Sequence, residues 1–201
     1  MNPQALGKVK ESLEKCLERL TRRVELRDEA SIKARRAVKL CGEAISLTHR
    51  GRLAEAKSRV TEAKGVIGEL KVCEVEVDAL SVALQELVEA EALLSLLEER
   101  EIPSVEELEV TDEAYVLGLA DLVGELRRMT LEYIRAGDGV KAEEAYEVMK
   151  NLYEMLWPLE YPRSLVPGLR HKVDVMRRIL DETLHDLTLM KMLSRHIKPR
   201  C

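Results

Sequence analysis

The apolar residues of this chain recur at helical spacing almost from end to end. From about Pro3 to Thr48 there is no internal proline, and this pattern predicts one long helix or two nearly collinear helices. The apolar positions that carry it are Leu6, Leu13, Leu17, Leu20, Val24, Ile32, Val38, Cys41 and Ile45. We expect Gly51 to end this first helix, since glycine readily adopts the left-handed conformation found there.

The middle of the chain continues the helical pattern with short interruptions. A second helix is predicted from about Leu53 to Leu70, and a third from about Cys73 to Arg100. Pro103 breaks the third pattern. Ser104 and Glu107 then have the spacing of a capping box, which predicts a short turn of helix at this point.

The last third of the chain adds three more helices. Thr111 or Asp112 is expected to cap the first of them, and Gly137 to end it. The bounds that we predict are about 112–137, 140–156 and 169–196. Residues 157–168 contain three prolines in twelve positions and are therefore expected to form a loop.

The composition agrees with an all-α chain. Of the 201 residues 46% are hydrophobic and 34% charged, but only 3% are aromatic and none is Phe, whereas strands favour aromatic and β-branched residues. We find no internal repeat or linker. The sequence predicts one helical bundle over 1–201, about six to seven helices in all, with residues 1–30 as a helical N-terminal extension.

The four cysteines and the apolar runs bear on location. Cys16, Cys41, Cys73 and Cys201 are widely separated and form no CxxC pair, which favours reduced thiols in a cytoplasmic protein. The first ten residues lack the apolar segment of a secretory signal. No uncharged apolar run approaches the about 18 residues of a membrane helix, so we expect no membrane partner.

Charge is distributed unevenly along the chain. Residues 1–60 carry 15 Lys and Arg against 8 Asp and Glu, whereas residues 61–137 carry 6 against 19. Basic segments bind phosphates, but clustered carboxylates repel them unless a cation lies between. The presence of a basic segment beside an acidic one is a first indication of metal-dependent chemistry on a nucleic acid.

Two pairs of carboxylates have the spacing of a shared helix face. Glu86 and Glu89 are three residues apart in the third helix, and Asp121 and Glu125 are four apart in the helix that starts near residue 112. Both pairs lie among apolar residues. The alternative is that each pair lies at the solvated edge of an amphipathic helix, since Glu is common in helices.

Packing of these two helices would bring the four carboxylates together. Converging carboxylates raise one another's pKa and therefore need a cation. Oxygen ligands suit Mg²⁺ or Mn²⁺, whereas zinc prefers Cys or His.

Glu182 and His185 form an ExxH motif, but a di-iron site needs a second copy and the sequence has none. His49 is interpreted as a helix-end or phosphate-facing residue.

Basic residues cluster in two stretches. Their common interpretation is a solvated helix surface, and the alternative is a grip on nucleic-acid phosphates. The candidates for phosphate contact are Arg35, Arg36, Lys39, Arg50 and Arg52 in the first stretch, and Arg163, Arg170, Lys172, Arg177 and Arg178 in the second.

Three segments together resemble the translin family. They are LQELVEAEALLSLL, TDEAYVLGLADLVGELRRMTLEYIRAGD and PGLRHKVDVMRRILDETLHDL, in the order and at the spacing of that family. The chain is most similar to the catalytic branch, translin-associated factor X, and its single-component prokaryotic relatives. The resemblance covers roughly residues 35–190 and is strongest over 84–138.

The resemblance implies a seven-helix fold, RNA or single-stranded DNA as ligand, and a closed homo-oligomer, usually an octamer. In the catalytic branch it also implies a Mg²⁺-dependent endoribonuclease. The family's acidic residues correspond to Glu86, Glu89, Asp121 and Glu125, which we therefore expect to be both catalytic and metal-binding. Two other functions stay open, a non-catalytic nucleic-acid-binding oligomer and a helical protein-interaction scaffold.

Overall fold

The protein is built of α-helices, and no strand occurs among the residues that the structure, a computed structural model, describes, 6–72 and 78–196. The seven helices in these ranges confirm the all-α fold predicted from the sequence. They are α1 (Gly7–His49), α2 (Leu53–Val72), α3 (Asp78–Leu97), α4 (Val105–Leu108), α5 (Asp112–Ala136), α6 (Gly139–Leu156) and α7 (Leu169–His196).

The predicted caps form as the sequence indicates. The Ser104 hydroxyl accepts a hydrogen bond from the Glu107 backbone N–H, while the Glu107 side chain accepts one from the Ser104 N–H. Thr111 caps α5 by accepting from the Ala114 N–H. At the helix ends, Gly51 has φ of +71° and Gly137 has φ of +78°. Both angles are left-handed, where a side chain would be strained.

Three predicted boundaries differ from the structure. The helix predicted over 73–100 ends at Leu97, because Glu99 turns left-handed with φ of +55° and the Arg100 N–H donates to the Ser95 carbonyl at 3.0 Å. Residues 73–77, which we placed in the same helix, lie outside the described residues. The loop over 157–168 begins with a 3-10 helix, Trp157–Glu160. α2 also runs on to Val72.

The core surrounds the middle of α3. Leu87, Leu93 and Leu94 on α3 are almost fully buried, and α3 packs against α1, α2 and α5. α5 in turn packs against α6 and α7. α3 is thus covered by helices from both halves of the chain, which brings residues far apart in sequence to its surface. Within the described chain, no helix has the length and apolarity needed to span a membrane.

Candidate functional site

A glycine brings α5 unusually close to α3. A Cβ added at Gly118 would lie 2.6 Å from the Gln85 carbonyl oxygen and 2.7 Å from the Val88 Cβ, closer than real Cβ contacts allow. In α3, Glu86 comes directly after Gln85, and Glu89 comes directly after Val88. In α5, Asp121 lies about one turn after Gly118. The crossing point of the two helices is therefore also the place where their carboxylates approach each other.

The four predicted carboxylates act on one another electrostatically. The pKa of Glu89 is raised to about 8, first by burial and then by the charges of Asp121, Glu86 and Glu125. The pKa of Glu86 is also raised, first by burial and then by Asp121. The Glu89 residue is only 9% exposed. The structure thus brings both pairs together in one region with more negative charge than its surroundings balance.

Glu125 has partners outside the group of carboxylates. The imidazole Nε2 of His49 donates a hydrogen bond to Glu125 Oε2, and this bond is the main cause of a lowered pKa for Glu125. Arg128 adds a contact of 3.7 Å to the same oxygen. The His49 side chain is 4% exposed. Of our two interpretations of His49, the structure agrees with a helix-end residue, since His49 is the last residue of α1 and its ring is buried against α5.

Lys172 of α7 pairs with Asp121. Its Nζ contacts Asp121 Oδ1, and its charge also lowers the pKa values of Glu86 and Glu89 against the larger effect of burial. We expected Lys172 to lie on a surface that grips nucleic acid. It lies among the carboxylates, because α7 packs against α5 there, and its contact with nucleic acid stays a prediction.

α1 contributes a buried thiol, that of Cys41, to the region of the carboxylates. Cys41 is fully buried, and its pKa is raised to about 12, first by burial and then by the charges of Glu86 and Glu89. The group therefore stays a neutral thiol at physiological pH. Oxygen atoms remain the anionic donors of this region, and they favour a hard divalent cation over zinc.

The carboxylate oxygens of this region are the kind of donor that a hard divalent cation such as Mg²⁺ prefers. Four carboxylates share one region, and the raised pKa values of Glu86 and Glu89 mean that added positive charge would stabilise their ionised forms. Across the part of the chain that the structure describes, no three His, Cys, Asp or Glu side chains already converge closely enough to hold an ion. Asp121 and Glu125 are instead engaged by Lys172 and His49.

The other basic candidates lie at the surface, and several already have partners. In the first stretch, Arg36 pairs with Glu62 at 2.7 Å and Arg52 pairs with Glu55. Lys39 lies 3.9 Å from Glu43. Arg35 and Arg50 are exposed as well. These contacts are on the surface and weak, so they would yield readily to a phosphate.

The second stretch is divided between surface and interior. The Arg170 guanidinium lies over the Tyr161 ring at 5.6 Å from its centroid, and Arg177 donates to the Tyr153 hydroxyl at 3.1 Å. Arg163 and Arg178 are exposed. Only Lys172 of this group reaches the carboxylates.

Residues 77–183, just over half of the chain, match the model of the translin family. The chain belongs to the translin family. It is similar to the crystal structure of AfC3PO, with 34% identity and a TM-score of 0.81 over 90% of this chain and 98% of that one. The structure of an AfC3PO–duplex RNA complex matches with 33% identity and the same TM-score of 0.81, over 90% of this chain and 97% of that chain.

Two further relatives extend the comparison. The apo form of NeC3PO is 27% identical with a TM-score of 0.80, over 94% of this chain and 98% of that one. An uncharacterised protein of Methanocaldococcus jannaschii is 40% identical over 109 residues, which is 54% of this chain. That match spans 49%, about half, of the archaeal protein's length.

His49 and Lys172 are the site residues whose positions the sequence did not reveal. His49 precedes Glu125 by 76 residues, and Lys172 follows Asp121 by 51. The one signal in the sequence was chemical, since carboxylates in an apolar environment require nearby positive charge. It did not indicate which of the many basic residues supplies that charge.

Proposed function

We propose that this translin-family protein is a Mg²⁺-dependent endoribonuclease that cuts single-stranded or short RNA inside a homo-oligomeric shell. The observation that carries the proposal is electrostatic: where α3 and α5 cross, the charges of Asp121 and Glu125 raise the pKa values of Glu86 and Glu89. A protein that only bound RNA would gain nothing from burying repelling carboxylates beside its ligand. Mn²⁺ is the second ion that this donor set would accept.

The choice of RNA is supported by the similar structure of AfC3PO, which was determined as a complex with duplex RNA. That match covers 97% of the AfC3PO chain, so the likeness extends over the whole of that fold. Single-stranded DNA is a further possible ligand of the same phosphate-binding surface. The exposed basic residues, above all Arg35, Arg36 and Lys39, would bind phosphates without regard to base sequence.

In this proposal, some site residues bind the ion and others position the residues that bind it. The four carboxylates would bind the ion, and His49 would keep the Glu125 carboxylate in one orientation from its buried position. Mg²⁺ held by these carboxylates would supply a water of lowered pKa and would stabilise charge on the scissile phosphate. Lys172, whose side chain is 26% exposed, is close enough to Asp121 to contact a phosphate oxygen of RNA at the same place.

The test uses a fluorescent single-stranded RNA, the protein, and either Mg²⁺ or EDTA. We expect cleavage with Mg²⁺, none with EDTA, and none for Asp121→Asn or Glu125→Gln, because a carboxamide has nearly the same shape but is a poor ligand for Mg²⁺. The matched control is Glu113→Gln, an exposed carboxylate in the first turn of α5. Full activity of Asp121→Asn would refute the assignment.

Two other outcomes decide between the alternatives. A shift of the RNA in a gel without cleavage in Mg²⁺ would identify a non-catalytic nucleic-acid-binding oligomer, and no shift at all would leave a protein-interaction scaffold. For the shell we expect a mass near eight times 22.8 kDa by light scattering. An active monomer of 22.8 kDa would refute the shell but not the metal site.

A further inference from the structure

Lys172 places a positive charge among the carboxylates by direct contact. Its Nζ contacts Asp121 Oδ1. Its charge also partly offsets the rise that burial and Asp121 produce in the pKa values of Glu86 and Glu89. The ammonium group thus acts on three of the four carboxylates and supplies the kind of charge that a divalent cation would supply there.

The two basic residues that engage the carboxylates of α5 differ in their freedom to move. The His49 side chain is only 4% exposed, so its ring stays beside Glu125. The Lys172 side chain is 26% exposed and carries its charge at the end of a flexible stem. Its partner, Asp121, is also partly exposed. Lys172 can therefore turn towards solvent, whereas the His49 ring can leave only if the core opens.

The backbone of Lys172 is fixed while its side chain can turn. Leu169 and Val173, on either side of it in α7, are fully buried in the core. The Lys172 N–H also donates to the Gly168 carbonyl at 3.4 Å. Release of the ammonium from Asp121 is therefore a change of rotamer, which leaves the packing of α7 against α5 as it is.

A divalent cation and the Lys172 ammonium compete for the same carboxylate. Mg²⁺ requires near-octahedral geometry, with oxygen ligands at about 2.0–2.1 Å. A second cation in contact with Asp121 would repel it strongly at such short range. A monovalent cation such as K⁺ brings no more charge than the ammonium already supplies. A divalent cation brings twice as much, so displacement of Lys172 is favourable for the divalent ion.

We infer that Lys172 makes this site selective for a divalent cation, because its ammonium stays on Asp121 until Mg²⁺ or Mn²⁺ displaces it towards solvent. The inference rests on the metal site of the proposed function. It goes beyond that proposal by assigning the choice of ion to a basic residue that is not itself a ligand. The displaced ammonium is then available to a phosphate oxygen.

The first test asks whether Lys172 moves. The wild-type protein, without RNA, is treated briefly with an amine-acetylating reagent, and the acetylation of each lysine is measured by mass spectrometry. We expect Mg²⁺ to raise the acetylation of Lys172 several-fold over EDTA, and KCl at the same ionic strength to leave it unchanged. A lysine with only a structural role would stay paired with Asp121 in all three solutions.

The control in this experiment is Lys191 on the same helix. It pairs with Glu143 at 2.9 Å and lies about 28 Å further along α7, at about 1.5 Å per residue. Its acetylation should be equal in Mg²⁺, KCl and EDTA. Equal acetylation of Lys172 in Mg²⁺ and EDTA would overturn the inference, as would an equal rise in KCl.

The second test asks whether the ammonium competes with the ion. Lys172→Met removes the charge but keeps an unbranched side chain, and Lys191→Met is the matched control. In calorimetry without RNA, Lys172→Met should bind Mn²⁺ on the order of tenfold more tightly than the wild type, a usual size for coupling between neighbouring charges. The control should bind as the wild type does. Unchanged or weaker binding by Lys172→Met would overturn the inference.

The third test addresses selectivity. The Mn²⁺ titrations are repeated in KCl and in tetramethylammonium chloride at equal concentration. K⁺ should weaken Mn²⁺ binding by Lys172→Met but not by the wild type, because the smaller ion can then take the position of the missing ammonium. An equal effect of K⁺ on both proteins would overturn the role of Lys172 in selectivity.

The outcomes separate this inference from the proposed function. A wild-type protein that binds no Mn²⁺ would refute the metal site and this inference together. A wild-type protein that binds Mn²⁺ while Lys172 stays protected from acetylation would overturn this inference alone. If Lys172→Met does not fold, the acetylation of the wild-type protein still decides whether the ammonium is displaced.

Discussion

Replacing Glu89, a buried glutamate of α3, tests whether the carboxylates repel one another as the structure indicates. In Glu89→Gln the charge is removed while the shape of the side chain is kept. Burial, followed by the charges of Asp121, Glu86 and Glu125, raises the pKa of Glu89 to about 8, and the charge of Lys172 on α7 partly offsets this rise. The variant should therefore alter how stability depends on pH.

The sign follows from proton linkage. A glutamate whose pKa rises from its ordinary value of 4.5 to about 8 on folding binds its proton more tightly in the folded state. The stabilisation of the folded state by this tighter proton binding is fully present below pH 4.5 and is lost as the pH rises through about 8. The unfolding free energy of the wild type should thus fall with rising pH in this range, and glutamine should not show this loss.

The magnitude is set by the size of the pKa change. Each pH unit between the two values costs about 1.4 kcal/mol, which gives an upper limit of about 4–5 kcal/mol for Glu89 alone. Because Glu86 and Asp121 share the repulsion, we expect Glu89→Gln to gain about 2–4 kcal/mol relative to the wild type between pH 5 and pH 8.

The assay is urea unfolding in EDTA at pH 5, 6, 7 and 8, at constant protomer concentration because association contributes to stability. Glu62→Gln is the control, since the pKa of Glu62 is lowered by Arg36 and its loss should bring no gain at pH 8. Adding Mg²⁺ at pH 8 should stabilise the wild type more than Glu89→Gln. If the difference between the two proteins stays constant from pH 5 to pH 8, the carboxylates are not coupled.

Two further predictions concern the helix crossing and the basic surface. Gly118→Ala should destabilise the protein by about 1–3 kcal/mol and slow RNA cleavage, because α3 and α5 must move apart, whereas Gly124→Ala, with open space at its Cβ, should be neutral or stabilising in chemical denaturation. Equal stabilities for the two variants would contradict this account of the crossing. Neutralising Arg35, Arg36 and Lys39 together should weaken RNA binding of any sequence and flatten the plot of log K against log salt by up to about 2–3, at roughly 0.7–0.9 per contact. An unchanged slope in a titration from low to high salt would mean that this surface does not bind phosphate.

Much of the site could be predicted from the sequence because helical spacing is a local property. Residues three or four apart in a helix share a face whatever the rest of the fold does, so the pairing of Glu86 with Glu89 and of Asp121 with Glu125 followed from their positions alone. The cap at Ser104 has the same origin, since its hydrogen bonds join groups three residues apart.

The tertiary structure decided which charges meet. Nothing local to His49 distinguishes a buried partner of Glu125 from an ordinary histidine at a helix end, and nothing local to Lys172 distinguishes a partner of Asp121 from a surface lysine. Both contacts depend on how α1 and α7 pack against α5, and Gly118 lets α5 approach α3 closely enough to complete the group. Helical periodicity indicates the face on which a side chain lies, but only the packing of distant segments determines what that face meets.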